Sequence, residues 1–292
     1  MQYSTIGDTK ISRLSLGTKR LPTTDVTRVV HLDVPEAETI FEAAVAEGIT
    51  CFDTAYNNRK GEAESALGTY FAQADPKPAF VTSYFEMVDP RYEYVFQKQL
   101  KKLQVDRIDF YYLEGVGDIT QYGLVDSGIV DFLFKMKEEG KIKHLGFDSD
   151  MSGANQVEFA KKYPWDFVRL SINYFDWFNK KAKERYDAAM ESELPIFAHS
   201  ALRVGLNSSL KQETLDVLRA ANPTRPSVEW GMRFVKSLEG VATVSSNVYS
   251  VNQLKENAAI FNDDVVLTAD ELEVLKEAAA VQKQIKRVSS RS

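Results

Sequence analysis

The hydrophobic residues of this chain fall into two alternating kinds of segment, short apolar runs and longer amphipathic ones. The short runs are rich in β-branched and aromatic side chains, and glycine, proline, aspartate or asparagine flanks them, which is typical of β-strands. Eight runs meet this description. We predict strands over residues 11–17, 49–54, 79–84, 107–114, 142–148, 167–173, 194–200 and 240–246.

Segments with helical periodicity separate these runs, except for the connection over 18–34, which shows no clear pattern. Thr268 and Glu271 form a capping-box pattern and predict a last helix over about 268–285. Eight strand–helix units over roughly 250 residues predict a single-domain α/β fold spanning residues 1–292, the (β/α)8 TIM barrel. A doubly wound sheet is the alternative, but "GTKRLP" after the first strand is not the G-x-G-x-x-G turn that such a sheet would carry.

Composition argues against several classes of function. The net charge of −6 lacks the positive excess of a nucleic-acid binder. No apolar run approaches the ~20 residues that span a membrane, and the first residues have no signal-peptide pattern. Cys51 is the only cysteine, which argues against an internal disulfide or a cysteine-held iron–sulfur cluster. We therefore expect a cytoplasmic protein without nucleic-acid or membrane partners.

Barrel enzymes place their chemistry at the carboxyl ends of the strands, so the polar residues there are the candidate site. They are Lys19, Asp53, Tyr56, Asn58, Ser83, Tyr84, Glu114, Asp148, Arg169, Asn173, His199, Ser200 and Arg203. The carboxylates among them are ligands that a Mg²⁺ ion would accept, but they could equally pair with Lys19 and Arg169. No second set of metal ligands supports the first interpretation, and we predict no metal.

Seven segments of the chain resemble the aldo/keto reductases. They are "ISRLSLGTKRLPTT", "FDTAY…GEAESALG", "LQVDRIDFYYLEG", "MKEEGKIKHLGFDSD", "NYFD", "ALRVG" and "VNQLKEN", and the similarity covers about residues 1–275. The chain looks most similar to a bacterial branch that often carries a C-terminal iron–sulfur extension, which this sequence lacks. The resemblance implies a TIM barrel and NADP(H)-dependent reduction of a carbonyl group.

The catalytic tetrad of that family is mostly replaced. In the family a tyrosine donates a proton, a lysine paired with an aspartate lowers the pKa of that tyrosine, and a histidine orients the substrate. The resemblance places Asp53 at the aspartate, but Asn58 at the tyrosine, Ser83 at the lysine and Glu114 at the histidine. An amide is too weak an acid to replace the phenol. Since general acid catalysis contributes ~10²–10⁴-fold, we expect ordinary carbonyl reduction to be weak or absent.

The cofactor positions implied by the resemblance also depart from the family pattern. Asp148 and Arg169 stand where a serine and a glutamine usually meet the nicotinamide, and a cation at Arg169 would repel the oxidised ring. Asn247 replaces the glycine of the phosphate turn. The positions that still match are Arg203 and Gly205 on the pyrophosphate side, and Gln253 and Asn257 at the adenosine end. Binding of NADP is left open, and we expect a dissociation constant above micromolar if it occurs.

Asp53 has lost the lysine that should pair with it. A buried unpaired carboxylate costs several kcal/mol, so we expect a replacement cation near Asp53 or Glu114. Lys19 is the first choice, because its strand should adjoin that of Asp53, and Arg169 is the second. Lys19, Asp53 and Tyr56 could then form a relocated catalytic set, unless Lys19 and Tyr56 face solvent.

Three functions stay open at this point. The chain could be an aldo/keto reductase-like protein with a degenerate site that still binds NADP. It could be a non-catalytic barrel that binds a small molecule or a protein in its mouth. It could also be a lyase or hydrolase that uses the carboxylates of the barrel mouth.

Overall fold

The structure, a computed structural model, describes residues 1–26, 29–84, 90–179, 181–202 and 210–289. The strands are β1 (Tyr3–Ile6), β2 (Thr9–Ser12), β3 (Leu14–Gly17), β4 (Thr23–Val26), β5 (Val29–Leu32), β6 (Cys51–Asp53), β7 (Ala79–Tyr84), β8 (Ile108–Val116), β9 (Ile142–Ser149), β10 (Phe167–Ser171), β11 (Ile196–His199) and β12 (Val241–Asn247). The strands β3 and β6 to β12 pair in parallel and close on themselves, which confirms the predicted α/β (β/α)8 TIM barrel.

The helices surround the barrel and alternate with its strands. They are α1 (Val34–Ala46), α2 (Glu62–Tyr70), α3 (Tyr92–Leu103), α4 (Thr120–Asp126), α5 (Ile129–Glu138), α6 (Gly153–Lys162), α7 (Tyr174–Asn179), α8 (Ala182–Glu191), α9 (Gln212–Ala221), α10 (Ser227–Lys236), α11 (Val251–Ile260) and α12 (Ala269–Ser289). The capping box that predicts the last helix is present, because Thr268 and Glu271 exchange backbone-to-side-chain hydrogen bonds of 2.9 and 3.2 Å. Among the described residues no helix has the length and apolar character needed to cross a membrane.

Two hairpins modify the predicted pattern. The predicted first strand is divided, because residues 9–12 pair antiparallel with β1 and only residues 14–17 join the barrel. Ile6 and Ile11 bury themselves in the barrel interior, so this hairpin closes the amino-terminal end of the barrel. The connection over 18–34 contains the hairpin of β4 and β5. The side chains of β5 are exposed except for Leu32, so this strand lacks a continuous apolar face, and hydrophobic patterning therefore missed the hairpin.

The core has an inner and an outer part, which follows from the alternation of side chains along each barrel strand. The inner part contains Cys51, Val81, Phe110, Phe167 and Phe197, with the rings of the last two 4.4 Å apart. The outer part fills the space between strands and helices. The inner apolar layer ends two or more residues before the strands do. Polar side chains take over there and line the mouth of the barrel.

Candidate active site

An ion pair crosses the mouth of the barrel. Asp53 ends β6 and Arg169 lies on β10, and these strands stand opposite each other in the closed order. Nη2 of Arg169 donates a hydrogen bond of 2.7 Å to Oδ2 of Asp53, and the two side chains are only 13% and 7% exposed. The guanidinium carbon lies 4.6 Å from the ring centre of Tyr112, whose side chain belongs to the inner core. The centre of the mouth is therefore occupied by the protein's own charges.

Arg169 provides the basic partner that we expect for Asp53, and the preference for Lys19 is wrong. Lys19 lies two residues beyond the end of β3, where its side chain is exposed and forms no ion pair with Asp53 or Glu114. Its backbone nitrogen instead donates to Oδ1 of Asn247 at 3.0 Å. Lys19 is expected because its strand adjoins that of Asp53, but adjacent strands do not ensure that the two side chains meet. An arginine within an inward-facing strand position reaches across the mouth more readily than a loop lysine turns back into it.

A second carboxylate and a histidine extend the charged network. Asp148 Oδ2 lies 3.8 Å from Nη1 of Arg169, and Asp148 Oδ1 lies 3.4 Å from Nε2 of His199, without the geometry of a hydrogen bond. Burial acts to raise the pKa of Asp148, but His199 and Arg169 hold that pKa below its usual range. Burial likewise acts to lower the pKa of Arg169, and Asp53, Tyr112 and Asp148 raise it above its ordinary value. Both groups are charged at neutral pH.

The residues at the other tetrad positions have taken internal partners. Ser83 donates a hydrogen bond of 2.9 Å to Oε2 of Glu114 on the neighbouring strand. Asn58 donates through Nδ2 to Thr18 Oγ1 at 3.0 Å. Neither contact provides an acidic proton donor or a positive charge. Ser83 and Asn58 are therefore committed to hydrogen bonds within the protein, and Asp53 is paired with Arg169.

Tyr56 does not join a relocated set with Lys19. Its ring packs against the outer core, and Nζ of Lys102 on α3 lies 4.4 Å from the ring centre. Tyr112 is a phenol that the sequence reasoning missed. The alternation of β8 could have found it, because Phe110, Tyr112 and Glu114 share one face of that strand. Burial raises the pKa of Tyr112 well above its ordinary value.

A buried polar network supports the strand that carries Ser83. Glu64, which is fully buried, accepts hydrogen bonds of 2.8 Å from both Thr82 and Gln99. Gln99 also donates to the backbone oxygen of Ser83 at 3.0 Å. Burial raises the pKa of Glu64 despite these bonds and despite Lys102 at 3.6 Å. This network connects α2 and α3 to the end of β7, and the sequence reasoning had assigned it no role.

The family of the chain follows from a comparison with known sequence families. The Aldo/keto reductase family model matches residues 13–280. The chain belongs to the aldo/keto reductase family. A search of curated proteins gave no match.

Solved aldo-keto reductases have the same fold at low sequence identity. The holo form of aldo-keto reductase AKR11C1 from Bacillus halodurans is 22% identical, with a TM-score of 0.78 over 95% of this chain and 96% of that one. The glycerol dehydrogenase AKR11B4 from Gluconobacter oxydans is 18% identical, with a TM-score of 0.76 over 96% and 95%. An aldo-keto reductase from Klebsiella pneumoniae in complex with NADPH is 18% identical, with a TM-score of 0.72 over 95% of each chain. At this level of identity the likeness supports the fold alone.

The nicotinamide positions of the aldo/keto reductase family do not fit that group in this chain. Asp148 and Arg169 are held in the charged network, so they offer no free neutral donors and acceptors to a carboxamide. Asn247 covers Gly17, where a Cβ atom would lie 2.5 Å from Oδ1 of Asn247. The side chain of Asn247, at the start of the turn that resembles the phosphate loop, is therefore held against the end of β3.

The adenosine positions are also committed to internal contacts. Gln253 accepts a hydrogen bond of 3.2 Å from the backbone of Tyr249, and Asn257 donates one of 2.9 Å to Ser246. Helix α11 begins beside them with Ser250 as its cap, and backbone N–H groups at such a helix start are suited to a phosphate. The remaining two cofactor candidates, Arg203 and Gly205, lie outside the described residues. In the parts of the chain that are described, no three acidic, histidine or cysteine side chains converge as a metal site would require.

Proposed function

We propose that this aldo/keto reductase family member binds a small molecule in its barrel mouth and lacks ordinary NADP(H)-dependent carbonyl reduction. The observation that carries this proposal is the ion pair between Arg169 and Asp53 across the mouth. In the family reaction the aspartate supports a lysine, and the lysine lowers the pKa of a proton-donating tyrosine. Here the aspartate is bonded to a cation on the opposite strand, and no lysine or tyrosine stands at the tetrad positions.

Tyr112, the phenol that packs under this ion pair, is poorly suited to replace the tetrad tyrosine. A general acid works best when its pKa is near the pH of the reaction. Burial raises the pKa of Tyr112 well above its ordinary value, and the opposing effect of Arg169 is smaller. Tyr112 therefore holds its proton more tightly than a free tyrosine does. Its packing under Arg169 supports a role in shaping the floor of the mouth.

The nicotinamide cofactor binds weakly or not at all in this proposal. NADPH, when bound to a family member, supplies the hydride for reduction. Asp148 and Arg169 place charges where a neutral carboxamide would be recognised. Asn247 puts a side chain where the family has the glycine that lets backbone N–H groups approach a phosphate. The start of α11 could still attract the phosphates. These opposing features support a dissociation constant above micromolar.

Two measurements test the proposal. Calorimetric titration with NADPH should give a dissociation constant above micromolar, and a submicromolar value would show that the substitutions at the cofactor positions do not matter. Steady-state assays with a panel of small aldehydes should give turnover far below the usual enzyme range of ~1–10³ s⁻¹. Turnover within that range would contradict the proposal, and a Tyr56→Phe variant of full activity would then exclude Tyr56 as the donor.

A restoration experiment provides the matched positive control. The variant Asn58→Tyr, Ser83→Lys, Glu114→His and Arg169→Gln returns the family residues to the mouth together. If their loss explains the missing activity, this variant should bind NADPH more tightly and reduce aldehydes faster than the natural chain. A variant carrying Arg169→Gln alone should affect cofactor affinity without creating a proton donor.

A further inference from the structure

Two arginines lie at the rim of the mouth, in the loops that follow β3 and β6. We refer to Arg20 and Arg59 as the rim arginines. The two loops are held together, because Asn58 donates to Thr18 Oγ1 at 3.0 Å and the backbone nitrogen of Thr18 donates to the backbone oxygen of Asp53 at 2.9 Å. Arg59 is partly buried and Arg20 is exposed. They therefore border the mouth on the side of Asp53.

The charges of the rim arginines are not compensated. No described carboxylate forms an ion pair with either guanidinium, and Nε of Arg59 is buried without a hydrogen-bond partner. Burial lowers the pKa of Arg59, and so does the positive charge of Arg20. The nearby carboxylate of Glu62 is already bonded to the backbone of Leu32 and to His31. These two hydrogen bonds lower the pKa of Glu62, and the positive charge of Lys60 lowers it further.

Other partly buried arginines of the structure show the usual arrangement. Most of them bond a carboxylate, as in the contacts of Arg169 with Asp53 at 2.7 Å, Arg225 with Glu271 at 2.6 Å and Arg233 with Asp263 at 2.8 Å. Arg13 instead donates to the backbone oxygens of Lys236 and Val241 at 2.9 and 3.3 Å. Burial of a guanidinium without such a partner is unfavourable, because its N–H donors lose hydrogen bonds to water and form none within the protein. Arg59, whose Nε is buried without a partner, is thus an exception among the partly buried arginines that the structure describes. Together with the positive charge of the nearby Arg20 it calls for a ligand of opposite charge.

The backbone at Arg59 is strained as well. Arg59 (φ 50°, ψ 49°), Lys60 (φ 56°, ψ 28°) and Gly61 (φ 83°) are three successive residues in the left-handed region. Residues other than glycine, asparagine and aspartate rarely take this conformation, and such strain is often found at ligand clamps. A glycine at position 59 would adopt this backbone conformation without strain. The strain is therefore a cost of having the arginine side chain at this position.

We propose that the rim arginines bind an oxyanion, a phosphate or a carboxylate, on the small molecule held in the barrel mouth. The guanidinium fork matches both groups, because each presents two oxygens to two parallel N–H donors. One anion between the two guanidinium groups would offset positive charge on both and could accept a hydrogen bond from the buried Nε of Arg59. This proposal rests on the proposed function only in placing the rest of the ligand in the mouth. It involves different residues from the start of α11, where the family resemblance places cofactor phosphates.

Thermal unfolding in inorganic phosphate, in acetate and in chloride at equal ionic strength tests the site. The natural chain should show a saturable rise in melting midpoint with phosphate, with acetate or with both, but not with chloride. The variants Arg59→Gln and Arg20→Gln should weaken the apparent affinity about tenfold or more, as expected for loss of a charge-assisted hydrogen bond. The control Arg219→Gln removes an arginine that is 61% exposed on α9 and should change nothing. Comparing the phosphate and acetate titrations identifies which oxyanion is bound.

A further variant separates binding from folding. Arg59→Gly removes the guanidinium and also relieves the strain, since glycine adopts φ 50° readily. It should therefore match or exceed the stability of the natural chain without phosphate and lose the saturable response to phosphate. A lower stability would show that Arg59 is a structural residue and would overturn the proposal. Equal responses to the three salts, or unchanged affinity in both glutamine variants, would overturn it too.

The outcome is independent of the enzymatic proposal. If the chain reduces aldehydes rapidly but still binds phosphate through Arg20 and Arg59, the proposed function fails and the oxyanion site stands. If the chain neither reduces aldehydes nor binds anions in a saturable way, the proposed function stands and the oxyanion site fails.

Discussion

Replacing Arg169 with methionine is expected to destabilise the protein strongly. The substitution keeps an unbranched side chain of similar length and removes only the charge and the donors. It leaves Asp53 and Asp148 without their shared cation in a mouth where Asp53 is 7% and Asp148 19% exposed. A buried carboxylate without a partner must either stay charged at high cost or take up a proton.

The size of the effect follows from the geometry. The 2.7 Å contact between Arg169 and Asp53 puts the charge centres about 4 Å apart, where unit charges attract by about 4 kcal/mol at an effective dielectric constant of about 20. Removal of one member of a buried pair typically costs about 3–5 kcal/mol. We therefore expect the free energy of unfolding at neutral pH to fall by about 3–5 kcal/mol in the Arg169→Met variant.

The loss of stability caused by Arg169→Met should be smaller at acidic pH. Burial acts to raise the pKa of Asp148, but His199 and Arg169 lower that pKa below its usual value of 3.8. A carboxyl with a lowered pKa stabilises the fold above its usual titration range, and this contribution is lost as the pH falls through the folded-state pKa. Because Arg169 provides part of the lowering, the variant should differ most from the natural chain at neutral pH and least near and below pH 3.8.

Urea unfolding followed by circular dichroism measures these changes. The midpoint should fall while the slope stays constant, which reports a change in stability rather than in exposed surface. The control Arg219→Met removes an arginine that is 61% exposed and should cost less than about 0.5 kcal/mol. Adding Asp53→Asn to Arg169→Met should recover about 1 kcal/mol or more, because the orphaned charge is gone. A loss equal to that of the control, or strictly additive single effects, would refute a desolvated ion pair across the mouth.

Three further substitutions test the packing and the buried network. A Cβ atom at Gly68 would clash with the backbone oxygen of Lys102, so Gly68→Ala should lower the free energy of unfolding by about 1–3 kcal/mol. Gly123→Ala in α4 meets nothing within 4 Å and should raise it by about 0.5–1 kcal/mol in the same urea assay. Burial raises the pKa of Glu64 above 4.5, so its contribution to stability falls as the pH rises through that pKa. The free energy of unfolding of Glu64→Gln, relative to that of the natural chain, should therefore increase from pH 4 to pH 7. A difference between the two proteins that does not change with pH would contradict the raised pKa.

The sequence by itself was sufficient for the fold, and it also predicts the loss of the tetrad. Strand and helix patterns repeat along the chain and report local burial, so the eight barrel strands were visible without any tertiary contact. The replacement of three tetrad residues was visible because Asn58, Ser83 and Glu114 stand at fixed distances from recognisable motifs. The β4–β5 hairpin was missed, because strands whose faces are both polar or exposed lack the alternation on which such a prediction depends.

Only the tertiary structure decided which charges meet. Asp53 and Arg169 are 116 positions apart in the chain, and closure of the barrel places their strands opposite each other. The sequence showed that Asp53 needed a cation, since burial of a lone carboxylate is costly, but it favoured Lys19 because of strand adjacency. The direction in which a side chain points from its strand decided against Lys19. The same closure brings Arg20 and Arg59 to one rim, where strain and uncompensated charge become apparent only from the backbone angles and the missing contacts.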